Sequence, residues 1–290
     1  MGQRVQNLAE KLGYKQDAKL LIIHADDLGV SHSENSASIQ SMEKGSVNSA
    51  SIMVPCPWFT EIAEYASRNR NLDFGLHLTL TSEWKHFKWG PVTSTDKVPS
   101  LVNDQGYFYS TVDSMVQHAV IGEVETELRS QVKKALANGI DITHLDAHMY
   151  AARNTRELLT VYIKIGREFK LPVLLAREEK VLDSVQLETT DVVVDHLHQA
   201  LPADYDNGMA SYYTNLFRNL KPGLSCLLIH TAFDDNEMKA MTTGHVYWGS
   251  KWRQLDFDFF NSNDCKSLLQ AENIRLVTWR EIRDKLIRKE

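Results

Sequence analysis

Short apolar runs without polar alternation recur along this chain, separated by stretches of helical periodicity, and that rhythm narrows the fold more than any other feature. Leu20-Leu21-Ile22-Ile23 and Leu227-Leu228-Ile229 are the clearest runs. A strand that is apolar at every position is buried on both faces, as in a parallel sheet covered by helices. Further runs lie at residues 47–54, 72–80, 142–145, 172–175 and 274–277. Between them, Ser31 and Glu34 space as an S-x-x-E helix start, and Lys44-Gly45 predicts a left-handed helix stop. Helices are also expected over 58–67 and 155–169, through Val124, Leu128, Val132, Ala135 and Leu136, and after Thr278 and Glu281. The α/β rhythm of about seven βα units fits a single TIM-like (β/α) barrel, complete or short of a unit.

No composition break or linker divides the 290 residues, so one catalytic domain over 1–290 is expected, with 1–18 as an N-terminal extension. Two stretches interrupt the rhythm, 82–115 with Trp84, Phe87, Trp89, Tyr107, Phe108 and Tyr109, and 234–260 with Tyr247, Trp248 and Trp252. Each follows a strand whose C-terminal end carries polar residues, which makes them expected rim loops over a site. Trp84, Trp89 and Trp248 are candidates to stack on the apolar faces of sugar rings; the alternative is that they only anchor long loops.

A net charge of −6 gives no attraction to a phosphate backbone or an anionic membrane, so neither nucleic acid nor membrane is an expected partner. Cys56, Cys226 and Cys265 are far apart and form no C-x-x-C pair, which argues against a zinc ribbon or a disulfide framework. The N-terminal residues lack an apolar signal core, so the chain as given reads as cytoplasmic; it would be secreted or periplasmic if a leader had been removed.

The polar residues at strand ends carry the chemistry. Asp26-Asp27 directly follows the first apolar strand, and two adjacent carboxylates there are costly unless they share a cation or proton. His77 lies on the polar side of the third strand, opposite Leu76, Leu78 and Leu80. Thr143-His144-Leu145-Asp146-Ala147-His148, if extended, turns His144, Asp146 and His148 to one side; bracing of a loop is the alternative. His230 follows the Leu227-Leu228-Ile229 strand and is a candidate acid. Imidazole and carboxylate donors together suit one divalent ion, Zn²⁺ or Mg²⁺ first, with Mn²⁺, Co²⁺ or Ni²⁺ as other choices.

The segments His24-Ala25-Asp26-Asp27-Leu28-Gly29, Gly75-Leu76-His77-Leu78-Thr79 and Thr143-His144-Leu145-Asp146-Ala147-His148, in that order, resemble the motifs of YdjC-like carbohydrate deacetylases. The resemblance implies a TIM-like barrel, a single metal held by Asp27, His77 and His148, and removal of an N-acetyl group from a small carbohydrate such as a chitooligosaccharide unit. It also implies a homodimer. By similarity to the more distant NodB-type polysaccharide deacetylases, Asp26 would be the base and His230 the acid. His144 and Asp146 then become candidates for orienting the ligands, and Arg177 for bracing Asp26 or forming a surface ion pair. Met149-Tyr150 follow His148 where many relatives continue with histidines. The competing readings are another barrel metallohydrolase, a phosphoesterase or amidohydrolase, and a non-catalytic sugar-binding barrel.

Overall fold

The computed structural model of the protein describes residues 7–288. Among these residues the strands are β1 (Lys19–Leu28), β2 (Ser49–Ile52), β3 (Phe74–Leu78), β4 (Leu145–Ala147), β5 (Leu175–Ala176), β6 (Val193–Val194), β7 (His196–Gln199), β8 (Gly223–Ile229) and β9 (Ile274–Leu276). All of their ladders are parallel. The main sheet runs β4-β3-β2-β1-β8-β7 and curls; β9 joins the first residues of β1, and β5 pairs with β6. A single parallel bridge, Leu145 to Val173, links β4 to the approach of β5.

The curl gives β1 two different apolar neighbourhoods. Leu21, Ile23 and Ala25 face the larger core under the helices, while Leu20 and Ile22 face a smaller interior cluster with Leu174, Leu224, Cys226, Leu228 and Trp279. Alternation along β1 therefore carries His24 and Asp26 onto the interior side, where both are buried. Serines on β2 answer that polarity: His24 pairs in register with Ser49, and its Nδ1 lies 2.9 Å from Ser49 Oγ.

The sequence reading fails in several places, each with a physical cause. The strand expected over 142–145 is ordered as Leu145–Ala147, because it takes its register from β3 through Leu76–Leu145 and His77–Asp146. Gly45 is not left-handed, with φ of −89°; glycine fits there because a Cβ would meet Ser41 O, Asn261 Oδ1 and Phe260 O. Ser31 accepts from the Glu34 amide at 2.9 Å as a cap should, but the Glu34 side chain turns to Arg253 instead of completing the box. Segment 234–260 contains the helices Asn236–Met241 and Ser250–Asn261. Strands β6 and β7 and the helices Pro202–Asn207 and Met209–Arg218 had no sequence reading; β7 is half-buried and reads His-Leu-His-Gln, without an apolar run. Part of the expected N-terminal extension belongs to the interior cluster through buried Ala9 and Leu12, while residues 1–6 lie outside the described residues.

Candidate metal centre

The ladder between β1 and β2 shifts register between Ala25 and Leu28, so the two aspartates sit in an irregularity of the strand. Asp27 adopts φ of 69°, a left-handed conformation that costs energy in a non-glycine residue and recurs where function demands it. Consecutive residues consequently aim at different neighbours. Asp27 Oδ1 lies 3.3 Å from His77 Nε2 and 3.2 Å from His148 Nδ1, and has no hydrogen-bond partner although it is buried. The ring nitrogens facing away from it are occupied: His77 Nδ1 donates to Asp146 Oδ1 at 2.9 Å, and His148 Nε2 to Glu83 Oε2 at 3.0 Å. Histidines held this way by carboxylates on the far nitrogen present the near nitrogen to a metal ion.

A donor set of one carboxylate oxygen and two imidazole nitrogens, within 4.8 Å of one another around an orphaned oxygen, fits a divalent ion. Asp27, His77 and His148 would hold it. Burial alone would raise the Asp27 carboxyl, but the charge of Arg253 and the nearby His148 and His77 imidazoles outweigh it and hold Asp27 ionised. Burial would likewise deprotonate His148, yet Glu83 and Asp27 raise it to about 9. His77 is also held well above its ordinary range, because the charges of Asp146 and Asp26 outweigh burial.

These shifts set the pH response of the metal-free protein. An imidazolium raised from 6.5 to about 9 stabilises the fold below pH 6.5, and that contribution is lost as pH climbs through about 9. Metal must displace the same protons. We therefore expect Zn²⁺ affinity to rise at least ~10-fold per pH unit between pH 6 and 8, with proton release, when the metal-free protein is titrated by calorimetry in buffers of different ionisation enthalpy. A flat affinity over that range would contradict the assignment of His148.

Asp26 faces a different set of groups. Its Oδ1 lies 3.1 Å from His24 Nε2, and its Oδ2 lies 3.8 Å from His230 Nε2. Burial raises the Asp26 carboxyl, only partly offset by the charge of His77 and a hydrogen bond from His24. His230 is pushed down to about 3 by burial, so it rests as the neutral imidazole. Its backbone N–H donates to Asp256 Oδ2 at 2.9 Å, which ties the end of β8 to the helix Ser250–Asn261.

The structure brings together Asp26, Asp27, His77, Asp146, His148, His230, Trp84 and Trp248 around one cavity of about 420 Å³. Asp146 is central: besides His77, its Oδ2 accepts from His24 Nε2 at 3.0 Å and from Ser51 Oγ at 2.9 Å. Two sequence expectations, His144 and Trp89, need correction. His144 points away from the cavity, stacks on Trp279 at 5.1 Å and meets the edge of the His24 ring, so it orients no ligand directly. Gly75 exists to make room for it, since a Cβ would collide with the His144 ring. Of the two roles open to Arg177, the structure has the surface ion pair: it is largely exposed and pairs with Asp195 at 3.0 Å. Trp89 is buried behind His148, its Nε1 donating to the Thr81 carbonyl at 2.8 Å, and offers no ring face to the cavity.

Sequence reasoning missed Arg253, Glu34, Glu83 and the role of His24. Arg253 and Glu34 meet across 219 residues, and no local pattern signals that contact. His24 was within reach, since strand alternation places it on the same face as Asp26. Met149 and Tyr150 line the cavity in consecutive left-handed conformations, with Tyr150 Oη donating to Gln199 at 2.7 Å.

The chain is similar to known proteins along most of its length. The carbohydrate deacetylase of Thermus thermophilus is 30% identical in an alignment covering 97% of this chain and 99% of that protein. The carbohydrate deacetylase of Thermoanaerobacter pseudethanolicus is 25% identical over 90% of this chain and 98% of its own length. A solved structure from Enterococcus faecalis, provisionally named a cellobiose-phosphate cleavage protein, shares the fold with a TM-score of 0.78 at 23% identity, covering 91% of this chain and 99% of that one. The YdjC-like protein pattern matches residues 20–271, nearly the whole of the described chain, and the protein belongs to that family.

Proposed function

We propose that this protein is a metal-dependent hydrolase that removes an N-acetyl group from a carbohydrate. The observation that carries the reading is the buried, unpartnered Asp27 Oδ1 facing His77 Nε2 and His148 Nδ1, with Asp26 and His230 flanking the same cavity. The names of the curated relatives, carbohydrate deacetylases, supply the substrate class. Two imidazoles and one carboxylate favour Zn²⁺ over Mg²⁺, which prefers oxygen donors and retained waters. When bound, the ion would acidify a water and polarise the acetyl carbonyl.

The chain's own residues then divide the proton work. Asp26, made more basic by burial, takes a proton from the attacking water. His230 starts without a proton and lies 3.8 Å from Asp26 Oδ2, close enough to receive one after a small shift or through a water. An imidazolium whose environment favours the neutral form is a strong donor, suited to the departing amine nitrogen. Trp84 and Trp248 line the cavity wall, and the half-buried Trp248 is the one placed to offer ring surface to the sugar. The reading takes residues 1–290 as one catalytic domain on a TIM-like (β/α) barrel of about seven units, complete or short of a unit, with 82–115 and 234–260 at its rim. The Leu145–Val173 bridge and the near-continuity of β6 into β7 support closure.

The test is acetate release from N-acetylated mono- and oligosaccharides after the protein is stripped by chelator and reloaded with Zn²⁺, Mg²⁺, Mn²⁺ or Co²⁺. Turnover should vanish on stripping and return with metal. Hydrolysis of phosphoesters with no acetate from any sugar would favour another barrel metallohydrolase, and sugar binding without turnover a non-catalytic barrel.

A further inference from the structure

The helix Ser250–Asn261 carries a guanidinium that the proton chemistry above does not use. Arg253 is 2% exposed, yet its charge is engaged on every side. Nη2 donates to Asp27 Oδ2 at 2.9 Å, Nη1 to Glu34 Oε1, and Nε to the Trp248 carbonyl at 2.8 Å. The guanidinium carbon lies 5.4 Å from the centre of the Trp84 ring. A planar fork with three occupied directions has one orientation, which a flexible ammonium could not reproduce.

Burying a cation between two carboxylates is a poor way to stabilise a fold, since apolar side chains of similar size often do as well or better. Glu34 is fully buried and its Oε2 has no hydrogen-bond partner, so the triad is not a fully satisfied structural network. Its geometry suits a different task. The two oxygens of Asp27 are chemically equivalent in a free carboxylate, and rotation about the Cβ–Cγ bond would exchange them. Here one is hydrogen-bonded to Arg253 and the other faces His77 and His148.

We propose that Arg253, itself anchored by Glu34 and the Trp248 carbonyl, is a positioning residue that occupies Asp27 Oδ2 so that Oδ1 alone is presented to the metal. The proposal rests on the metal-centre reading given above. Outer partners of metal ligands are worth ~10–100-fold in metal affinity, and Arg253 is placed to supply an effect of that size.

Arg253→Met alone would strand Glu34 as an unpaired buried acid and could unfold the chain, so the decisive variant is the double substitution Arg253→Met with Glu34→Gln. Circular dichroism and thermal melting establish that it folds. Metal-free wild type, Glu34→Gln, Arg253→Lys and the double variant are then titrated with Zn²⁺ alone. We expect the folded double variant to lose ~10–100-fold in affinity, and Glu34→Gln, whose amide oxygen can still accept from Arg253, to lose clearly less. Arg253→Lys should recover only part of that loss, because a point charge cannot hold Asp27 and the Trp248 carbonyl together. In the Co²⁺-loaded double variant, an Asp27 free to bind through both oxygens should raise the coordination number and weaken the visible absorption. A folded double variant with wild-type Zn²⁺ affinity and an unchanged Co²⁺ spectrum would overturn the proposal. So would Glu34→Gln losing as much as the double variant. Wild-type protein that binds no Zn²⁺ would instead overturn the metal-centre reading, which separates the two failures.

Discussion

His148→Ala, and separately Asp27→Ala, should lose bound metal and turnover together. Either change removes one of three donors, so the expected loss of Zn²⁺ affinity exceeds the ~100-fold upper range for an outer partner. His148→Ala is the cleaner experiment. Its removal leaves Glu83 partly solvated, whereas Asp27→Ala takes from buried Arg253 one of its two carboxylates, and breaking a buried pair costs about 3–5 kcal/mol. The measurement is metal content per chain by elemental analysis, with acetate release on the same samples. Stoichiometric metal at wild-type affinity in His148→Ala would remove this residue from the metal centre. Loss of metal with full turnover would remove the ion from the chemistry.

Asp26→Asn should separate what the first experiment joins. The amide keeps the shape of the carboxylate, and the Asp27, His77 and His148 donors are untouched, so metal content should match wild type. His24 retains its 3.0 Å contact to Asp146, which limits the rearrangement around the changed side chain. Turnover should fall ~10²–10⁴-fold, the range supplied by a positioned general base. Full activity in Asp26→Asn would end the base assignment. Loss of metal in the same variant would show that the two aspartates act as one ligand unit, with no division of roles.

The placement of much of this candidate site was legible in the sequence, for an identifiable reason. The side-chain period along a strand is two residues, and active groups of parallel α/β folds gather at strand C-termini. Asp26-Asp27 after Ile22-Ile23, His77 beside Leu76 and Leu78, and His230 after Ile229 all followed from that rule. Where the rule has no purchase, the reading failed. His144 and Asp146 are two residues apart, yet only Asp146 reaches His77. The curl of the sheet packs His144 into the space left by Gly75 against Trp279.

By itself, the amino-acid sequence determined the α/β class, the identity of the polar residues at strand ends and, through three short motifs, the family. Those properties are local: they depend on residue types a few positions apart and on the two periodicities of regular structure. The tertiary structure decided which oxygen of Asp27 faces the histidines, which nitrogen each histidine presents, and that Arg253 and Glu34 stand behind the site. These depend on a strand irregularity at Asp27 and on contacts between segments up to about 230 residues apart, such as Arg253 with Asp27. Orientation of a buried charge is set by whichever groups the fold brings within 3 Å or so, and no window of sequence contains them.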